Sequence, residues 1–268
     1  MLNKLFWLFR KAMVIDFSYK LSRTLRFASI FFYILTFYYV GHLVDKAAIP
    51  SLEKYGGEYF SFVLFGLAVN SYFNTARNTF NSNLRNEQVL GTLEPVVATG
   101  TGVPVMLMGL SVYDFANLTV QMGAMVSFGV VFFGVSVFWS NILPALFILV
   151  LSILAFIGFG MLSASFTMVF KRGDPLGWMI GNISTVMSGV FYPVEILPVW
   201  IQKLASLLPL THSLKAIRLV LLKGATLYEV RQEVFILGLF AFILLPASIF
   251  CLRYALKKAT IEGTLAGH

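Results

Sequence analysis

Residues 83–102 read NLRNEQVLGTLEPVVATGTG. This run of Arg, Glu, Gln and Gly separates two strongly apolar stretches of a chain that is 58% hydrophobic, 16% aromatic and only 12% charged. From Glu87 to Glu94 the residues suit a helix apart from Gly91, and Pro95, which cannot continue the ladder, sets its end. On such a helix Glu87, Gly91 and Glu94 share one face, and Val89, Leu93 and Val97 another. A segment of this kind can lie along the base of a membrane with its polar side in water. The residues alone leave two readings open. One is a docking surface, where Gly91 permits close approach; the other is an ordinary solvated loop helix.

The surroundings of this run are those of a membrane protein. A soluble chain of 268 residues needs a polar surface, and 20 basic plus 12 acidic residues cannot supply one. Mean hydropathy is +0.82. The net charge of +8 would suit nucleic acid, but its distribution fits membrane orientation instead. A single cysteine, Cys251, excludes an intramolecular disulfide and any cysteine-based metal cluster.

A spanning helix needs about 20 mostly apolar residues. Six stretches qualify, at 27–44, 59–76, 110–138, 144–170, 175–192 and 234–255. Asn141 and Pro144 mark a tight turn between the third and fourth. KRGDP at 171–175 separates the fourth and fifth, and Pro175 suits a first helical turn. Ahead of the spans, Leu2, Leu5, Phe6, Phe9, Met13 and Phe17 recur at helical spacing with Lys4, Arg10 and Lys11 largely elsewhere. That pattern predicts an amphipathic interfacial helix over 1–24. With the N-terminus inside, the cytoplasmic segments hold thirteen Lys and Arg against seven outside, so both termini are expected in the cytoplasm. Lys215, Arg218 and Lys223 fall on the wrong side of this rule.

Residues 193–222 break the pattern. PVEILPVWIQKLASLLPL carries Pro193, Pro198 and Pro209 between apolar pieces too short to cross, which predicts a re-entrant helical hairpin before the sixth span. Trp200 suits an anchor at headgroup depth. The chain therefore reads as one all-α integral membrane domain over 1–268.

Chemistry of its own is missing from the pattern. There is no phosphate-cradling G-x-x-x-x-G-K-[ST], no G-x-G-x-x-G and no H-E-x-x-H. His42, His212 and His268 are scattered. No catalytic residue, metal or bound cofactor is expected. Asp114 is the one acid within the spans proper, with Asn117 and Gln121 on the same helical face. It either lines a polar path or sits near a helix end paired with a basic residue such as Arg26 or Arg172. Asn70, Asn74, Asn78 and Asn81 form a second polar stripe, either interhelical glue or the wall of a hydrated cavity. Gly173, Gly177, Gly181, Ser184 and Ser188 form a stripe of small residues on the fifth span, a tight packing face within the subunit or across a dimer.

Two motifs carry a resemblance. R-x-E-Q-x-x-G-T-L-E, from Arg85 to Glu94, follows the second span. SGVFYPVEILPVWIQKLASLLPLTHSLKAIR, from Ser188 to Arg218, follows the fifth. In this order and at these positions they resemble the ABC type-2 export permeases, and the likeness covers nearly the whole chain. The segment VVATGTGVP departs from the T-P pair usual there, which leaves the start of the third span open.

The resemblance implies a half-transporter. Two copies, or two related permeases, pair with two separate ATP-binding subunits that hold ATP and Mg, alongside membrane lipid and no nucleic acid. Arg85, Glu87, Gly91, Thr92, Leu93 and Glu94 match a coupling helix over 83–97, and Lys171, Arg172 and Asp174 a second cytoplasmic loop. Phe191, Tyr192, Pro193, Glu195 and Pro198 match an outer gate. Asn70, Asn74, Asn78, Gly177, Gly181, Ser184 and Ser188 fit a pathway or dimer interface. The implied activity is export of an amphipathic, drug-like or lipid-linked substrate from the cytoplasm across the cell membrane. The alternatives are a channel or carrier working without ATP, which often shows repeated halves, and an integral-membrane lipid-modifying enzyme, which would need clustered acids or histidines.

Overall fold

The computed structural model describes residues 10, 13–14, 20–45, 50–92, 95, 103–170 and 175–261. Among them every regular element is helical. The helices are α1 (Lys20–Asp45), α2 (Tyr59–Val89), α3 (Val103–Phe133), α4 (Ile142–Phe170), α5 (Pro175–Met187), α6 (Val199–Ala205), α7 (Pro209–Leu222) and α8 (Arg231–Ile261). Short 3-10 turns lie at Pro50–Tyr55, Trp139–Asn141 and Val194–Ile196.

Helices occupy all six stretches expected to span, but they are not equivalent. The α3 helix, the segment Trp139–Met168 and α8 are long and apolar enough to cross a membrane. The α6 and α7 helices, bent by 92° at their break, pass that test only as a pair. In α1 the apolar part is Ala28–Val44. The fifth span, expected over 175–192, stops at Met187. Its 13 residues reach roughly 20 Å at 1.5 Å per residue, short of about 30 Å of hydrocarbon. Gly189, at φ +80°, turns the chain away. The third helix starts earlier than expected, at Val103, and ends at Phe133, where Gly134 adopts φ +70°.

The second helix departs furthest from expectation. It does not end near residue 76 but runs 31 residues to Val89, roughly 46 Å of helix. Its first half, from Phe60 to Val69, is buried throughout. Its second half is polar, with Arg77 buried, Asn81, Asn83 and Glu87 half-buried, and Asn78, Arg85 and Asn86 exposed.

Close approach sets the packing around α2. A Cβ on Gly160 of α4 would collide with the Ala76 carbonyl, and one on Gly158 would lie 2.7 Å from Leu244 Cβ in α8. These two glycines let α4 nestle between α2 and α8, its most extensive neighbours. Phe73 packs edge-on against Phe156 at 5.3 Å to complete the α2–α4 contact. The α7 helix buries Leu210, Leu214, Ile217 and Val220 against the same core. Asn141, expected only as a turn former, fixes this element: its amide donates to the carbonyls of Val220 and Ala225 at 3.3 and 3.2 Å. It thereby satisfies a carbonyl that the end of α7 would otherwise leave orphaned.

The interfacial helix expected over 1–24 falls mostly outside the described residues; its last five, 20–24, open α1.

Candidate functional site

The polar run with which the sequence opened is the free end of α2. Asn83–Val89 are its last two turns rather than a separate helix, and Gly91 terminates them. At φ +66° Gly91 takes the left-handed conformation that closes a Schellman motif. Gly91 N–H donates to Gln88 O at 3.1 Å and Thr92 N–H to Glu87 O at 3.0 Å. The Thr92 hydroxyl also bonds the Glu87 carboxylate. Arg85, Gly91 and Thr92 are exposed. So are two large apolar side chains, Val89 at 75% and Leu90 at 68%. Leu93 and Glu94, and the second loop's Lys171, Arg172 and Asp174, lie outside the described residues.

Midway along α2 the polar stripe divides. Asn70 accepts a hydrogen bond from Thr185 of α5 at 3.0 Å, and Asn81 donates to Ser163 of α4 at 3.1 Å. These two amides join helices, whereas Asn78 is exposed and Asn74 half-buried. Asp114 of α3 turns to α2 as well, accepting from Thr79 at 3.0 Å and Asn83 at 3.5 Å. The side chains of Arg26 and Arg172, its expected partners, are outside the described residues.

The small stripe of α5 packs inside the chain. Gly177, Gly181, Ser184 and Ser188 are all buried, and a Cβ on Gly181 would meet the Arg77 guanidinium, 2.6 Å from Nε. The face left open carries Trp178, Met179, Ile183 and Val186. Thus Gly181 and Thr185 serve contact with α2, and the uncovered face of α5 is mostly large apolar side chains with Asn182 among them.

The hairpin end is held by Arg218, which sequence reasoning treated only as a misplaced charge. It is 3% exposed. Its Nε donates to Phe62 O at 3.1 Å, Nη1 to Gly189 O at 2.8 Å and Nη2 to Val190 O at 2.9 Å. The guanidinium also lies 3.4 Å from the Phe62 ring centroid, a cation–π contact. One side chain of α7 therefore joins the start of α2 to the turn after α5. Gly66 makes room for it, because a Cβ there would collide with Val190 O and Arg218 Nη2. Lys215, one helical turn before Arg218, pairs with buried Glu233 of α8. Two of the cations that strained the orientation rule are thus internal partners rather than free loop charges. The signal available in the sequence was an Arg and a Lys three apart within an otherwise apolar helix.

The expected outer-gate residues gather around this clamp. Phe191 stacks on Phe37 of α1 at 5.9 Å, and the Tyr192 hydroxyl donates to Val186 O at 2.7 Å. Pro193 is buried and Pro198 caps α6. Glu195 accepts from Lys54 Nζ at 2.8 Å and from the Tyr55 hydroxyl at 3.1 Å, tying the 3-10 turn after α1 to the hairpin. Burial works to raise the Glu195 pKa, but the Lys54 and Tyr55 hydrogen bonds and the Lys54 charge outweigh it and hold the carboxyl below its ordinary range. Burial first, then the neighbouring Glu195 charge, pushes the Tyr55 phenol up.

An all-helical chain with several helices able to cross a bilayer, polar residues turned to one central helix and no nucleotide-binding motif has the makings of a multi-pass membrane transport subunit. A family model for ABC-2 type transporters matches residues 4–222, and the chain belongs to that family. No curated protein matches it. The chain is therefore the permease component of an ABC transporter, and membership implies an ATP-binding partner.

Proposed function

We propose that this permease drives export of an amphipathic or lipid-linked substrate by alternating access, powered by ATP and Mg on two separate ATP-binding subunits. The observation that carries the reading is the free end of α2. A helix whose first half is the buried centre of the bundle ends in a tip where Arg85, Val89 and Leu90 are exposed and Glu87 is half-buried. Exposed apolar residues rimmed by charge are what a protein partner covers. In this reading the coupling surface spans 83–97, the second loop at 171–174 adds a contact, and both termini are cytoplasmic. The α5 and hairpin segments complete six membrane passages with re-entrant helices at 193–222, forming one domain over 1–268. The pairing of Lys215 and the burial of Arg218 support this orientation, since neither acts as a free charge in an external loop. A second permease copy, the same chain or a relative, pairs with this one and encloses the path. Motion of the gripped tips then switches the packing at the far end of α2 between closed and open.

The test is recovery of the complex. The tagged chain is extracted from its host in mild detergent and its stoichiometric partners identified by mass spectrometry. The expected result is an ABC ATPase at equimolar amount, lost with Glu87→Arg while the permease itself stays folded. Retention of the ATPase with unchanged substrate-dependent turnover in the Glu87→Arg protein would remove the coupling assignment. A preparation free of ATPase in several detergents would return the channel and enzyme readings.

A further inference from the structure

At the end of the bundle that carries the Pro50–Tyr55 turn, a cavity of about 270 Å³ opens beneath the hairpin, its lining including Ser188, Glu195, Gln202, Lys215, Arg218 and Glu233. Its charges do not balance locally. Glu195 is neutralised by Lys54 and Glu233 by Lys215, whereas Arg218 meets only backbone carbonyls and a ring. A buried cation is ordinarily met by an anion. Here the guanidinium has five N–H donors with three of them engaged, and no carboxylate among the described residues forms an ion pair with it.

A second, independent feature marks the same wall. Ser188, 1% exposed, has a hydroxyl with no hydrogen-bond partner. A buried hydroxyl without a partner costs about 1–3 kcal/mol, a cost that a ligand in the cavity lined by both Ser188 and Arg218 would relieve. Around them the engaged groups leave an excess of donors. Lys215 has N–H groups beyond the one used by Glu233, and the Gln202 amide N–H groups are taken by Glu195 O and Leu197 O.

We propose that this cavity is a binding site for a phosphate-type oxyanion, held by Arg218, Lys215 and the Ser188 hydroxyl. The anion supplies the missing counter-charge and occupies the hydroxyl. Both carboxylates on the wall are already matched with lysines, so neither repels it with a free charge. The source is either the phosphate of a lipid headgroup or a free anion in solution. The inference stands on this chain's own residues and does not rest on the transport reading.

The full-length chain is purified and delipidated in a phosphate-free detergent. Inorganic phosphate is titrated against chloride at matched ionic strength, following thermal unfolding. Native mass spectrometry then compares retention of dioleoyl phosphatidylglycerol with that of dioleoylglycerol. Phosphate should stabilise the wild type saturably and chloride should not. Ser188→Ala should weaken that affinity by about tenfold, the loss of one hydrogen bond to a charged group. Because that hydroxyl has no partner among the described residues, unliganded Ser188→Ala should melt no lower than wild type. The pair Lys215→Gln with Glu233→Gln, which keeps a neutral hydrogen-bonded pair, should weaken phosphate binding comparably. Selective retention of phosphatidylglycerol, lost in these variants, assigns the site to a headgroup; phosphate binding without lipid discrimination assigns it to a free anion. No saturable effect of either probe, or equal affinity in wild type and variants, overturns the proposal.

Discussion

Gly66→Ala tests whether the Arg218 clamp holds the hairpin end together. The new methyl would fall inside contact distance of Val190 O and Arg218 Nη2, and 3.2 Å from the Val190 carbonyl carbon. Ordinary C···O approach is about 3.3 Å, so something must move by about 1 Å. The Val190 carbonyl is main chain, fixed by the turn at Gly189. The guanidinium end could swing, but only by leaving carbonyls that hold it in three directions. Losing one such charge-assisted bond costs about 1.5–3 kcal/mol. Alanine in a helix returns about 0.5–1 kcal/mol over glycine. A net loss of about 1–2 kcal/mol follows, enough to measure and too little to unfold a protein of ordinary stability. The assay is equilibrium unfolding of the purified chain in mixed micelles of rising SDS fraction. Gly238→Ala in α8, where an added Cβ meets nothing within 4 Å, is the control and should be neutral or stabilising. If Gly66→Ala unfolds at the same SDS fraction as Gly238→Ala, the crowding at Val190 and the clamp argued from it are refuted.

Two further outcomes follow from the same end of the molecule. Asn141→Ala removes both amide bonds to Val220 and Ala225, and should destabilise by about 1–3 kcal/mol in the same SDS titration while leaving the helical circular dichroism unchanged. Glu195 has a folded pKa below its unfolded value, so its contribution is present above the unfolded pKa and is lost as pH falls through the folded one. Thermal stability of the wild type should therefore drop as pH goes below about 4, and Glu195→Gln should flatten that part of the profile; a parallel acid loss in both proteins would contradict the Lys54–Glu195 link.

Element positions were legible in the sequence where hydropathy and punctuation agree. Pro175 opens α5, and the prolines at 193, 198 and 209 bracket the hairpin helices. The extent of α2 was not legible, because apolarity ends near residue 76 while the helix does not. The helix continues through NLRNEQV, and much of the polar surface of its second half, Asn78, Ser82, Arg85 and Asn86, is exposed rather than packed, so a search for apolar spans does not register it. The small stripe of α5 was legible as a packing face but not its partner. Only the fold brings Gly181 to Arg77 and Thr185 to Asn70. Similarly, counting charges per loop cannot distinguish a solvated lysine from Lys215 paired with Glu233. Nor does it reveal that Arg218 is held by carbonyls of residues as distant as Phe62.

The residue that Arg218 grips, Phe62, and the Glu87 tip lie near the two ends of one helix, α2. Phe62 and Gly66 lie in the first turns of α2, Glu87 and Leu90 at its end, roughly 35–40 Å along a single rigid rod. Between them the rod is gripped on three sides, by Gly160 of α4, by Asp114 of α3 and by Gly181 and Thr185 of α5. These grips are close backbone approaches and side-chain hydrogen bonds, each made at one point along the rod. In the transport reading proposed above, a continuous helix would carry a displacement of the tip to the clamp. At the clamp α2 contributes one of the three carbonyls that Arg218 holds, Phe62 O, and the turn after α5 contributes Gly189 O and Val190 O. A shift of α2 against that turn has to stretch or exchange the Arg218 hydrogen bonds, so the two-state packing proposed for the gate is tested at α2 and this one arginine of α7.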